Sequence, residues 1–240
     1  MLKFIGSGSA FNTKLGNTSA YYKKGNKMLL IDCGSNIFQR IKENNLLDDI
    51  EHIHVLITHT HADHVGSLAD LILYTYYVHG QFAKNKVTVY SPFDTGVSKI
   101  LKLNGCLDGI HHSEKLIGGV SDITIINDFA TFNFSRNSHV EELYTYHINL
   151  NILGYNIFYS SDINELTTLQ IEDIKYRNNF IAYIDTCKAD YEDNVHLSLH
   201  KLTELIEPHH RYKIWCMHLD EVFDREEAES LGFNVVKNEF

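Results

Sequence analysis

Apolar and polar positions along the chain follow two periods. Residues 2–5, 20–22, 28–31, 53–57, 87–90, 123–126, 131–134, 144–150, 157–159, 180–184 and 212–217 are apolar at every second position or in short unbroken runs, and each predicts a strand. Ile37, Phe38 and Ile41, then residues 97–103 and 197–206, carry helical spacing, and Pro208 stops the last of these. A longer helix is predicted over residues 66–78. It is apolar nearly all round, from Leu68 to Val78, as in a helix covered on more than one side by the core or by a partner. Strand, helix and strand succeed one another in both halves of the chain. Two β-rich halves with helices outside predict an α/β architecture, an αββα sandwich with its functional loops at the sheet edges.

One polar stretch stands out against this frame. Residues 58–64 read Thr-His-Thr-His-Ala-Asp-His and follow directly on the apolar run 53–57, so His59, His61, Asp63 and His64 stand where a buried strand gives way to a helix. Three imidazoles and a carboxylate this close together suit zinc, whose protein ligands are nitrogen and oxygen donors about 2 Å from the ion. His59 and His61 project to one side of an extended segment. Asp63 and His64 begin the next turn and can face a second ion about 3.5–4 Å away.

The His-x-His-x-Asp-His string resembles the signature of the metallo-β-lactamase fold superfamily. That resemblance implies three later ligands in order, and His139, Asp162 and His218 each stand beside a strand-like run. In the superfamily pattern His59, His61 and His139 hold one zinc ion, Asp63, His64 and His218 hold the other, and Asp162 bridges them. Manganese and iron satisfy the same donors. Asp32, closing the run 28–31, is expected to orient ligand histidines rather than to bind metal itself.

The opening Ile5-Gly6-Ser7-Gly8-Ser9-Ala10-Phe11, followed by Asn17-Thr18-Ser19, is similar to that of the ribonuclease Z-like branch. There a histidine before a Ser or Thr and a helix protonates the leaving oxygen. His196 matches that position with Leu197 in place of the hydroxyl residue, and His200, one turn on, is its rival. Asp63 is the second catalytic candidate, orienting the nucleophile or receiving its proton. His111 and His112 are expected in a solvated loop, and His52, His54, His79, His209 and His210 on the surface.

Composition narrows the substrate. With 240 residues, 44 % hydrophobic content and two prolines, the chain is expected to form a single hydrolase domain over 1–240. No stretch approaches eighteen apolar residues and no charged leader opens the chain, so a soluble cytoplasmic protein is expected, in the host cytoplasm if phage-encoded. Cys33, Cys106, Cys187 and Cys216 are isolated and read as reduced, buried thiols. The formal charge of −10 disfavours a long nucleic acid as partner. Two zinc ions offset by Asp63, Asp162 and a hydroxide still leave the pocket at roughly +1, which suits a small anion.

Only 22 residues separate His139 from Asp162, enough for two strands and a turn. The tRNA-gripping arm that ribonuclease Z carries there has no room. The whole chain most resembles the phage and bacterial anti-Pycsar phosphodiesterases. That implies a homodimer opening the 3′,5′-cyclic mononucleotides cCMP, cUMP, cAMP and cGMP to 5′-monophosphates and so countering antiphage signalling. A tRNA 3′ processing endonuclease, a lactone or thioester metallo-hydrolase, and a protein that sequesters a nucleotide without cutting it are the alternatives.

Overall fold

A computed structural model describes residues 1–82, 86–118, 123–126 and 129–240. The chain divides into two units, Met1–Gly118 with Lys237–Phe240, and Gly119–Val236.

The first unit is a six-stranded sheet in the order β1 (Lys3–Gly6), β2 (Ser19–Lys24), β3 (Lys27–Ile31), β4 (His52–Leu56), β5 (Val87–Pro92), β6 (Ser113–Ile117). β1 to β3 pair antiparallel and β3 to β6 parallel. Parallel neighbours require crossover connections. These are α1 (Ile37–Glu43), the pair α2 (Ala62–Val65) and α3 (Leu68–Tyr74), and α4 (Val97–Leu103). Met28, Leu30, Ile53, Val55, Val87 and Val89, alternate positions of three strands, pack into one core with Ile37, Ile41, Leu68, Leu71, Ile72, Val97 and Leu101. Burying each such side chain contributes about 1.5–3 kcal/mol, which holds the strand ends rigidly.

The helix expected over residues 66–78 begins two residues later, at Leu68. Ser67 leaves helical geometry between α2 and α3, where its hydroxyl donates to Gly34 O at 2.5 Å and accepts from Phe38 N at 3.0 Å. After α3 the chain continues as a π-helical turn, Thr75–His79. Only one side is covered: Leu68, Leu71, Ile72 and Thr75 are buried, whereas Tyr77 and Val78 are 48 % and 60 % exposed.

Two expectations about histidines are corrected. His111 and His112 are buried, because the charged segment that follows them forms β6, an edge strand where Glu114 and Lys115 are well placed to discourage further pairing. His112 Nε2 meets Glu114 Oε1 at 2.8 Å, and His111 Nδ1 accepts from Leu107 N at 3.0 Å. His54 is buried beside Tyr90 rather than exposed, and burial pushes its pKa down to about 3.

The second unit is a seven-stranded sheet. In chain order its strands are β7 (Thr124–Ile126), β8 (Ala130–Arg136), β9 (Tyr146–Ile152), β10 (Tyr155–Tyr159), β11 (Phe180–Asp185), β12 (Ile214–Met217) and β13 (Asn234–Val235), and their spatial order is the reverse. β7 to β10 form an antiparallel meander and β10 to β13 are parallel. β8 and β10 both oppose β9, so β8, β10, β11 and β12 all end at one edge of the sheet. β9 and β10 join through Leu153 and Gly154, both at positive φ (53° and 83°), the tight hairpin that the short spacing between His139 and Asp162 anticipated.

Helices α5 (Thr168–Tyr176), α6 (Leu199–Leu205) and α7 (Arg225–Ser230) complete this unit. α5 begins with a reciprocal capping box between Thr167 and Gln170, and at the start of α6 Ser198 Oγ accepts from Lys201 N at 3.1 Å. All four cysteines are free and buried. Among the described residues no helix is long and apolar enough to cross a membrane.

Candidate metal-binding site

In the first unit the donors are set by two parallel strands that end level, with Leu30 beside Val55 and Ile31 beside Leu56. Asp32 follows β3 at φ 59°, a left-handed conformation that costs a non-glycine residue roughly 1–2 kcal/mol. The turn aims its carboxylate at the neighbouring loop. Oδ1 accepts from Thr58 N at 2.9 Å, and Oδ2 accepts from Thr58 Oγ1 at 2.8 Å and lies 2.8 Å from His64 Nδ1. Thr58 Oγ1 also lies 3.1 Å from His59 Nδ1. Asp32 therefore orients His64 directly and His59 through Thr58, as expected of it. Burial raises the Asp32 carboxyl above its ordinary range, opposed by the charge and hydrogen bond of His64 and by the two bonds from Thr58.

The next segment is gripped by backbone. Cys33 N donates to His64 O at 2.7 Å and Ser67 N to Cys33 O at 3.1 Å. Gly34 sits so close that a Cβ on it would lie 1.9 Å from Asp63 O. His61 is the extended N-cap of α2, with Asp63 and His64 in its single turn. His59, Asp63 and His64 are buried, and His61 is half-buried. His59 Nε2 and His61 Nδ1 face each other at 3.1 Å, and His64 Nε2 lies 3.3 Å from Asp63 Oδ2. Two nitrogens bound about 2.0–2.1 Å from one tetrahedral ion stand about 3.3 Å apart, so the donors of this loop suit a divalent metal.

The second unit brings its own donors to the shared end of β8, β10, β11 and β12. His139 follows β8, Asp162 follows β10, Asp185 ends β11 and His218 follows β12. Ser161 and His218 both adopt left-handed backbone, at φ 54° and 57°. Asp162 Oδ2 faces His139 Nε2 at 3.6 Å, while Oδ1 faces His218 Nε2 at 3.5 Å. These separations exceed those of hydrogen bonds and match adjacent donors around an ion. The far nitrogen of His139 is fixed, its Nδ1 donating to Val195 O at 2.8 Å, while His218 Nδ1 faces the Asp185 carboxylate, 3.3 Å from Oδ1. A second hydrogen-bond partner of this kind sets the tautomer and aims the other nitrogen.

His196 belongs to the same group. Its Nδ1 lies 2.7 Å from Asp185 Oδ2, and its ring lies 5.1 Å from that of His139 and 5.0 Å from that of His218. His200, the rival, has a 67 % exposed side chain paired with Asp190 at 3.0 Å. Burial works against a charge on His196, but the charge of Asp185 and its hydrogen bond outweigh it and hold the imidazole above its ordinary range. Burial likewise works against the Asp185 carboxylate, yet the charges and hydrogen bonds of His196 and His218 carry it below its ordinary range.

Asp185 is the member of this group that sequence reasoning missed. Its only signal is an acid closing an apolar strand, the same signal that Asp32 and Asp162 give.

Comparison with known proteins places the chain in a family. The chain is 28 % identical over 236 residues to an anti-Pycsar protein Apyc1 of Bacillus phage BSP38, covering 90 % of this chain and 88 % of the relative. Among solved structures it superposes on the metallo-β-lactamase fold protein YhfI of Bacillus subtilis with TM-score 0.77 at 15 % identity, covering 100 % and 97 % of the two chains. It superposes on Zn(2+)-bound PqqB of Methylobacterium extorquens with TM-score 0.75 at 14 % identity, covering 99 % and 97 %. Those likenesses establish the metallo-β-lactamase fold. Residues 1–239 match the family model described as anti-Pycsar protein Apyc1, and the chain belongs to that family.

Proposed function

We propose that this protein is a binuclear zinc phosphodiesterase that hydrolyses 3′,5′-cyclic mononucleotides, cCMP and cUMP with cAMP and cGMP also accepted, to 5′-monophosphates. In this reading residues 1–240 act as one hydrolase domain: His59, His61 and His139 would hold one ion, Asp63, His64 and His218 the other, and Asp162 would serve both. The observation that carries it is the double aspect of Asp162, whose two oxygens face the ring nitrogens of two different histidines. Membership of a family named for opposing Pycsar supports a small cyclic nucleotide as substrate and antagonism of antiphage signalling as the role.

When bound, the ions supply a hydroxide nucleophile at neutral pH and positive charge against the phosphate. The chain supplies orientation and a proton. With Nδ1 of His196 committed to Asp185, Nε2 is the nitrogen available to protonate the departing 3′ oxygen as the P–O3′ bond breaks. Asp63, at the first turn of α2, orients the attacking water and takes its proton. The compact β9–β10 hairpin favours a small substrate over tRNA. The exposed group Tyr77, Val78 and Phe82 is the surface we assign to homodimer formation, and the phage relative favours action in the host cytoplasm.

Incubation of metal-loaded protein with the four cyclic mononucleotides, a precursor tRNA and a lactone panel tests this reading. Conversion to 5′-monophosphates is expected. Turnover of tRNA or lactones with cyclic nucleotides left intact would replace it.

A further inference from the structure

Asp162 owes its place to a turn, and the turn has a support outside any donor group described above. Asn137 is the first residue beyond β8, tied by its backbone N–H to Thr145 O at 2.9 Å. Its side-chain nitrogen donates to both Ser160 O, at 2.5 Å, and Asp162 O, at 3.2 Å. The two carbonyls bracket Ser161, the residue in left-handed conformation. The amide oxygen of Asn137 lies 2.8 Å from His147 Nδ1 on β9.

The polarity of this chain of contacts follows from donor and acceptor inventory alone. Two carbonyl oxygens can only accept, so the Asn137 atom facing them is its NH2 group. The atom facing His147 is then the amide oxygen, and His147 must donate from Nδ1. His147 is buried with its ring 5.0 Å from Phe158, and burial pushes its pKa down to about 4, so the ring is neutral at pH 7. A neutral imidazole with its proton on Nδ1 is the form that orients Asn137.

We propose that Asn137 and His147 are a positioning pair for the metal centre: Asn137 clamps the left-handed turn at Ser161 so that the Asp162 carboxylate faces His139 and His218 together, and His147 fixes the orientation of the Asn137 amide. Neither residue is among the proposed ligands. The inference rests on the reading of Asp162 as a metal ligand. Its geometric basis is that left-handed backbone at a serine is intrinsically unfavourable and persists where surrounding contacts determine it. Ser160 Oγ, which donates to Ser161 O at 2.6 Å and accepts from Asp185 N at 2.9 Å, holds the same turn from the β11 side.

The test measures zinc affinity by chelator competition and the absorption spectrum of the cobalt-substituted protein, alongside far-UV circular dichroism. Removal of an outer partner of a metal ligand typically weakens binding 10–100-fold. Asn137→Ala is expected to lose about that factor, with an altered cobalt spectrum and an unchanged backbone signal. His147→Asn, which keeps a donor near the Nδ1 position, is expected to retain more affinity than His147→Phe, which has none. Because these variants alter neither the turn nor a ligand, they keep the question answerable if Asn137→Ala does not fold. Wild-type affinity and spectrum in Asn137→Ala, or equal affinity in the two His147 variants, would overturn the clamp while leaving the metal centre intact. A wild-type protein that binds no divalent ion would overturn both.

Discussion

Asp185 Oδ2 lies 2.7 Å from Nδ1 of His196, and the other oxygen of the same carboxylate lies 3.3 Å from Nδ1 of His218. One buried carboxylate thus holds the ring of a proposed general acid by a hydrogen bond and faces that of a proposed metal ligand with its other oxygen. Asp185→Asn keeps the shape but gives one imidazole an NH2 group where it had an acceptor. Loss of such a partner lowers metal affinity or activity about 10–100-fold. Turnover of cyclic nucleotide and zinc content of the variant, measured together, are expected to fall. A variant with wild-type values of both would leave Asp185 without this role.

The strand ends were legible where a chemical pattern marked them. Residues 58–64 announce themselves because several metal-capable side chains directly follow an apolar strand, and Asp32 because it closes a neighbouring run. Asp185 has no such companion: His218 reaches it through strand order, β12 lying beside β11, and His196 through the fold-back of the segment between β11 and α6. The start of α3 at Leu68 was hidden because nothing in the local pattern marks Ser67 as its N-cap, where the hydroxyl makes a tertiary bond to Gly34. His111 and His112 read as solvated because adjacent side chains point in different directions, and the strand that follows them, β6, carries charge that an edge position tolerates. α5, which opens on a capping box at Thr167, was not foreseen, because Ile174 is its one buried residue and leaves little apolar periodicity to read.

Metal removal is expected to destabilise the fold. His59, His64, His139, Asp162 and His218 are buried, and an ion that binds only the folded chain stabilises it by RT ln(1 + [L]/Kd). At a free zinc concentration one hundred times Kd this is about 2.7 kcal/mol. For a chain of this size it corresponds to a thermal midpoint about 5–10 °C higher. Differential scanning calorimetry of chelated and zinc-reconstituted protein measures the difference. Coincident midpoints would mean that the donors hold no ion.

Gly34→Ala is expected to damage the first donor loop by sterics alone. The new methyl would fall 1.9 Å from Asp63 O and 2.5 Å from Asp63 C, both backbone atoms that cannot swing aside. Gly34 is not among the positive-φ glycines, so no conformational penalty adds to the clash. Overpacking of this kind costs about 1–3 kcal/mol or more, and here the displacement falls on a proposed ligand. Gly96→Ala is the complementary control, at φ 80° with nothing within 4 Å of the added carbon. It is expected to cost about 1–2 kcal/mol of stability through backbone strain and to leave zinc affinity unchanged. Chemical denaturation and zinc titration of the two variants separate these effects.

The buried His147 gives the second unit a pH-dependent stability of known sign. Its pKa is about 4 in the folded chain against 6.5 for an ordinary histidine, because burial disfavours the charged ring. Between those values the unfolded chain binds a proton that the folded chain refuses, so stability rises with pH across the window. The contribution is complete above about pH 6.5, falls as the pH is lowered, and levels off below about 4, for a total of about 3 kcal/mol. Between pH 7 and pH 5 the loss is about 2 kcal/mol. Urea denaturation of metal-free protein at the two pH values isolates this from loss of ions by protonated ligands. In His147→Asn that component is expected to vanish, whatever the absolute stability of the variant. An unchanged pH slope would mean that His147 titrates normally in the folded protein, and that its ring is not the neutral donor that faces Asn137.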